Sequence, residues 1–479
     1  MSDSRLPRII QGGMGVAVSS WHLARTVSRT GELGVVSGTG LDIVVARRLQ
    51  DGDPGGHIRR ALAAFPVPSI ADEVLEHYFI DGGRDRSQPY VAISRPSLTE
   101  SLRAQRLQVV ANFAEVWLAK EGHDGVVGIN FLEKIQMTTP WTAYGAMLAG
   151  VDYVLMGAGI PAHVPKLLNE LAVHSVSKYP VDVVDALPDE PYFVTIAPRE
   201  VMGEELAPLA RPTFLAIVAN HVLAQYLARD EVTRPDGFVV EAPTAGGHNA
   251  PPRGKVELDD LGQPIYGPRD EIDPRKFTTL GLPFWLAGSW GSPDRLREAL
   301  EIGAAGIQVG TLFAMSEDAG FSSDVRDQVR ASLLDGSLTT RTDALASPTG
   351  FPFKVAQLPD TLSDLTLRAA RPKVCDLGHL RTPFRREDGK LDYRCASEPD
   401  HMFTRKGGGD GEIPGRACLC NALVASVGLA QVRKDGTEEL PLVTLGDDID
   451  GARKLLAENP DGYTATQAIA WLRGEPTIV

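Results

Sequence analysis

Short runs of consecutive apolar residues, each closed by glycine or a polar residue, recur along the chain and alternate with segments of helical periodicity. Eight such runs stand out, at residues 8–11, 33–37, 126–131, 152–157, 213–218, 238–242, 284–288 and 306–310. Their hydrophobicity is continuous rather than alternating, the pattern of strands buried on both faces in a parallel sheet. Between them, residues 19–31 carry capping serines, an apolar stripe and a closing glycine, and residues 292–303 add a proline in the first turn and a glycine after the last. Serine or proline at the start and glycine at the end are the signals of helix termini. Eight buried strands joined by helical crossovers predict an α/β fold, a (β/α)8 TIM barrel. A doubly wound sheet uses the same alternation, but the unusual residues fall at the carboxyl ends of many strands, where barrel sites are built. These are Gln11 to Met14, Asn130, His248, Gly288 and Gly310-Thr311.

With 479 residues, the chain exceeds the roughly 250 of a bare barrel. The reading is a barrel over residues 1–346, with insertions at about 39–125 and 244–282, followed by a C-terminal extension over 347–479. The run Ser347-Pro348-Thr349-Gly350-Phe351-Pro352 marks that boundary. Hydrophobic residues make up 43% and charged residues 23%, and the sequence shows neither a bilayer-length apolar run nor a secretory signal. A cytoplasmic protein without a membrane partner is expected. The formal charge of −14 is the wrong sign for nonspecific nucleic-acid binding, which leaves a small molecule as the expected partner. Oligomeric state is not legible.

The densest chemistry lies in Thr244-Ala245-Gly246-Gly247-His248-Asn249, which ends the sixth apolar run. Paired glycines let backbone approach a ligand closely, and a histidine just beyond can exchange protons near neutrality. Arg253 and Lys255 follow on a polar loop, where solvation or pairing with Glu257, Asp259 and Asp260 is the expectation. Glu133 and Lys134, just past the third strand, are placed at the active-site end. Trp117, Phe131 and Trp141 are expected in the core.

Four motifs occur in order: Pro7-Arg8-Ile9-Ile10-Gln11-Gly12-Gly13-Met14-Gly15, Gly246-Gly247-His248, Ala287-Gly288-Ser289 and Gly306-Ile307-Gln308-Val309-Gly310-Thr311. With them the chain resembles the nitronate monooxygenases, formerly 2-nitropropane dioxygenases, from about Arg5 to Ala319. The resemblance implies a TIM barrel that binds FMN and is related to FMN-dependent enoyl reductases. It implies that Gly12, Gly13, Met14 and Gly246 approach the isoalloxazine ring, that Asn130 contacts flavin, and that Gly288, Gln308, Gly310 and Thr311 hold the phosphate. Barrels commonly bind phosphate in the loops after their last two strands. His248 becomes the candidate catalytic residue for proton transfer. The implied reaction takes an alkyl nitronate and O2 to a carbonyl compound and nitrite. The alternatives are an enoyl reductase for an acyl or polyketide-like substrate and a noncatalytic flavin-binding partner protein. The stretch Asn249 to Gly254 departs from the commoner family pattern, which brings a glycine sooner after the histidine.

All four cysteines, Cys375, Cys395, Cys418 and Cys420, lie beyond the barrel motifs. In a reducing compartment such a set reads more readily as a metal site than as disulfides. Zinc is the expected metal, with an iron–sulfur cluster as the alternative and unligated buried thiols as the simplest outcome.

Overall fold

The computed structural model describes residues 6–476, so Arg5, at the start of the resemblance, lies outside the described residues. Each of the eight apolar runs forms a strand: β1 Ile9–Gln11, β2 Leu33–Ser37, β3 Val127–Leu132, β4 Tyr153–Gly157, β5 Thr213–Val218, β6 Gly237–Glu241, β7 Phe284–Ala287 and β8 Gly306–Val309. They pair in parallel in chain order, and β8 returns to β1 with Ile9 opposite Ile307, closing a (β/α)8 barrel. Ile10, Leu33, Val35, Leu155, Leu215, Val239, Trp285 and Ala287 fill the interior. Gln11 is also fully buried. Its Oε1 accepts from Val35 N at 3.0 Å and its Nε2 donates to Ser19 Oγ at 2.8 Å, so this polar group is satisfied. That bond pins the end of β1, where the Gly12 to Gly15 turn begins.

The helix expected over 19–31 spans Trp21–Ser28, because Ser20 caps it from outside and Arg29 ends it. Helix Pro293–Ile302 follows its sequence signals closely, with Ser292 accepting from Arg295 N at 3.3 Å and Gly303 closing it at φ 97°. The segment between β2 and β3 is largely helical, as Leu41–Gln50, His57–Leu62, Pro68–Tyr78 and the long, mostly buried Leu102–Lys120.

After β8 the chain leaves the barrel and comes back. Strand Phe353–Gln357 pairs antiparallel with both Thr339–Asp343 and the two-residue strand Gly247–His248. Helix Ala465–Arg473 packs between Trp21–Ser28 and Pro293–Ile302, the place of an eighth barrel helix. Tyr463 donates to Leu312 O at 2.6 Å, and Arg473 pairs with Glu32 at 2.9 Å, locking that return. Val424, Leu445 and Tyr463 belong to the same apolar core as the barrel helices. Among the described residues no helix is long and apolar enough to cross a membrane.

Candidate active site

The carboxyl ends of the strands open into a cavity of two lobes, which share Gly13, Gly15, Glu241, Gly246, Gly247, Gln308 and Thr444. All ten site residues read from the barrel sequence lie on it. Asn130 and His248 line the first lobe, Gly12, Met14, Gly288, Gly310 and Thr311 the second, and Gly13, Gly246 and Gln308 both. The turn after β1 presses against β3, since a Cβ at Gly13 would sit 2.3 Å from Asn130 Cβ. Gly288 holds φ +80° at the end of β7, a conformation that favours glycine.

Three buried oxygens here have no hydrogen-bond partner: Asn130 Oδ1, Gln308 Oε1 and Thr244 Oγ1. A buried polar atom left unpaired costs about 1–3 kcal/mol, and several on one cavity are the signature of a ligand that satisfies them. Acceptors beside the first lobe and glycine backbone around the second fit a flavin mononucleotide, with ring and ribityl donors meeting the former and phosphate the latter. No lysine or arginine lines either lobe among the described residues, so backbone amides of the Gly288 and Gly310-Thr311 turns would have to hold the phosphate. Asp448 also faces the second lobe, and burial raises its carboxyl above the ordinary carboxylate range.

His248 sits edge-on to Phe353, with ring centroids 4.9 Å apart, and its Nε2 is 2.8 Å from Ser347 Oγ. Ser347 in turn contacts Thr349 Oγ1 at 2.7 Å. Burial, helped by the charge of Lys134, pushes the His248 pKa down to about 3, so the ring is neutral at physiological pH rather than poised as a base. Lys134 donates to Ala158 O and lies 3.3 Å from the Phe351 ring centroid, and its burial lowers its own pKa to about 8. Glu133 accepts from Gln136 at 2.6 Å, and neither it nor Lys134 lines a lobe.

Several lining residues escaped the sequence reading. Glu241 ends β6 at the junction of the lobes, and burial pushes its pKa up to about 7. His379 lines the first lobe with Nδ1 3.2 Å from Leu377 O and Nε2 3.1 Å from Asp42 Oδ1. Both ring nitrogens face acceptors, which favours the imidazolium. A strap at residues 442–448 crosses the cavity: Gly247 N donates to Thr444 Oγ1 at 2.7 Å, Gly446 N to Thr311 Oγ1 at 2.8 Å, and Asp447 N to Thr244 O at 2.9 Å. A Cβ on Gly246 would meet Gly446 N and Leu445 C at 3.0 Å, so this glycine makes room for the strap.

Arg253 and Lys255 are exposed and line neither lobe. Of the two expected outcomes, solvation or pairing with Glu257, Asp259 and Asp260, exposure on the polar loop is the one observed. Trp141 is a core residue and Trp117 is half-buried against the same core, whereas Phe131 is buried and also lines the first lobe. The metal expectation needs correction at the level of geometry. Cys375, Cys395, Cys418 and Cys420 line one small cavity, but no group of three or more His, Cys, Asp or Glu side chains among the described residues is set to hold an ion.

No family model matches the chain. Over 234 residues it is 25% identical to the (3aS,4S,5R,7aS)-5-hydroxy-7a-methyl-1-oxo-octahydro-1H-indene-4-carboxyl-CoA dehydrogenase of Mycobacterium tuberculosis, a match over 44% of this chain and 61% of that protein. The chain thus spans less than two thirds of the length of the curated relative. Among solved structures it is similar to FabK from Thermotoga maritima, at 18% identity and TM-score 0.37 over 74% of this chain and 72% of the other. It is also similar to the enoyl reductase domain of MlnA from Bacillus amyloliquefaciens, at 12% and 0.39 over 74% and 64%. A third is nitroalkane oxidase from Streptomyces ansochromogenes, at 14% and 0.39 over 89% and 97%. Likeness this distant transfers no activity, and the barrel assignment stands on the strand pairing itself.

Proposed function

We propose that the two lobes hold FMN and that the protein is an FMN-dependent oxidoreductase of nitronate monooxygenase type, turning an alkyl nitronate and O2 into a carbonyl compound and nitrite. The observation that carries the cofactor reading is the pair of orphaned carboxamide oxygens, Asn130 Oδ1 and Gln308 Oε1, on a glycine-walled cavity. Gly12, Gly13, Met14 and Gly246 would face the ring, and Gly288, Gly310 and Thr311 the phosphate. Bound flavin would supply two-electron redox chemistry and the reaction with oxygen.

The chain's own groups suit a substrate that arrives as an anion. A histidine with its pKa pushed down to about 3 is a weak base for a carbon-bound proton. With Ser347 Oγ–H donating to Nε2, the ring proton rests on Nδ1, which can then donate to a nitronate oxygen. The Lys134 charge behind His248 favours an anion in the same lobe. Glu241, with its pKa near 7, is the group suited to exchange a proton at neutral pH.

One observation favours a second reading, an FMN-dependent enoyl reductase. The first lobe extends along Ile135, Ile217, Phe353, Leu380, Leu419 and Leu423, more apolar wall than a small nitronate needs, and the curated relative is named for a carboxyl-CoA substrate. Two assays on FMN-loaded protein separate the readings. Nitrite release from an alkyl nitronate in air, without rapid anaerobic bleaching of the flavin by NAD(P)H, is the expected result. Rapid bleaching, with no nitrite from any alkyl nitronate, replaces it with the reductase.

A further inference from the structure

Strand Gly247–His248 pairs with Phe353–Gln357, which fixes the His248 backbone opposite Phe353 while its ring lines the first lobe. Nε2 of that ring is 2.8 Å from Ser347 Oγ, Ser347 Oγ is 2.7 Å from Thr349 Oγ1, and Thr349 N donates to Ser347 Oγ at 3.3 Å. Ser347 is fully buried, whereas Thr349 is half-buried. Ser347 O accepts from Arg416 Nη1 at 2.7 Å and from Gly350 N at 3.2 Å, which holds this turn in place. An imidazole and two hydroxyls thus follow one another from the lobe outward.

What stands behind a histidine decides what it can do with a proton. A carboxylate there favours the imidazolium, as Asp42 does at His379 in the same lobe. A backbone carbonyl fixes a single tautomer. His248 has a hydroxyl instead, and burial pushes its pKa down to about 3, so the ring stores no extra proton at neutral pH. A neutral imidazole still passes one on, gaining it at one nitrogen as it gives one from the other, provided its neighbour both donates and accepts. Here the hydrogen bonds are satisfied in either direction. In one, Thr349 Oγ1–H donates to Ser347 Oγ and Ser347 Oγ–H to Nε2, and the ring proton is on Nδ1. In the other, Nε2–H donates to Ser347 and Ser347 to Thr349, and Nδ1 is bare. Thr349 N donates to Ser347 Oγ in both.

We propose that His248, Ser347 and Thr349 form a proton relay between the first lobe and solvent, in which Ser347 and Thr349 are positioning residues that let His248 transfer protons without becoming charged. This rests on the reading of the first lobe as the place where substrate meets flavin. In the step, the Nδ1–H bond breaks as an anionic oxygen of the substrate takes the proton. The Ser347 proton moves to Nε2, the Thr349 proton moves to Ser347 Oγ, and solvent supplies a proton to Thr349 Oγ1, so one proton enters the lobe and one leaves the solvent. Once product departs, water in the open lobe returns a proton to Nδ1 while Nε2 gives its own back along the chain, which resets the relay.

The test uses the full-length protein with ¹⁵N-labelled histidine, the His248 signals being assigned by their loss in His248→Ala. At neutral pH the parent should show an uncharged ring, the Nδ1–H form in exchange with an Nε2–H form, and Ser347→Ala should leave a single tautomer. Thr349→Val keeps the side-chain shape and removes the outer hydroxyl. With an alkyl nitronate, or with NAD(P)H and an enoyl thioester, it should lower kcat about 10- to 100-fold at unchanged KM and FMN content, and Thr349→Ser should restore most of the rate. In mixtures of light and heavy water the parent's kcat should fall along a curve, because several protons move together, and that of Thr349→Val along a straight line. If neither substrate turns over, the functional reading fails while the ring spectra still decide the relay. A charged ring, one and the same tautomer in parent and Ser347→Ala, or equal kcat in parent and Thr349→Val overturns the proposal.

Discussion

Replacing Asn130 by leucine tests the cofactor reading through two effects of opposite sign. The side chain keeps its shape against Gly13 but loses its carboxamide, whose Oδ1 is buried without a partner. Without cofactor, that loss removes a desolvation cost of about 1–3 kcal/mol, so the cofactor-free variant should resist urea better than the parent by up to that amount. With cofactor, the same change removes a neutral hydrogen bond of about 0.5–1.5 kcal/mol, which weakens FMN binding about 2- to 12-fold. Fluorescence titration of FMN into cofactor-free protein reads the second effect, and urea unfolding of the same sample the first. Gln308→Met, at the other orphaned carboxamide, should behave alike. An unchanged FMN dissociation constant in both variants would refute the assignment of these oxygens to the flavin, however stable the proteins became.

His248→Ala should lower turnover about 100-fold, the usual cost of a lost oxyanion donor, with FMN content unchanged. Because the parent ring's pKa is pushed down to about 3, kcat should carry no inflection from this residue between pH 5 and 9. Glu241 has its folded pKa raised to about 7 from an ordinary 4.5. The folded state therefore holds the proton longer, and stability is lost as pH rises from about 4.5 through 7. Glu241→Gln should raise the melting temperature of cofactor-free protein at pH 8 and leave it nearly unchanged at pH 5, as calorimetry would show; equal shifts at both values would contradict this. Glu439 is buried and accepts from Arg371 at 2.6 and 2.8 Å. Breaking such a pair from one side costs about 3–5 kcal/mol, so Glu439→Gln should open the region beyond Ser347 to limited proteolysis well before the barrel.

The barrel was legible because each strand is buried on both faces and so reads as an unbroken apolar run, as in Thr213–Val218, whose bounds the sequence already shows. The glycine turns after β1, β7 and β8 were legible for the same local reason, since their conformations depend on neighbours in the chain. What closes over them was not. Thr444 and Gly446 reach Gly247 and Thr311 across 197 and 135 residues of chain, and no local pattern carries that pairing. His379 meets Asp42 across 337 residues, and Glu241 looks like any polar end of a strand until its burial is known. The protonation of His248 was misjudged for a related reason. Its neighbours in sequence are glycine and asparagine, whereas Phe353, Ser347 and Lys134, which set its environment, come from elsewhere.

The most direct measurement is the identity and stoichiometry of flavin released by heat from freshly purified full-length protein, with FMN added back to the cofactor-free form. The account predicts noncovalent FMN, about one per chain, rebound by parent protein with the flavin fluorescence quenched. Folded, colourless protein that fails to bind added FMN would contradict it.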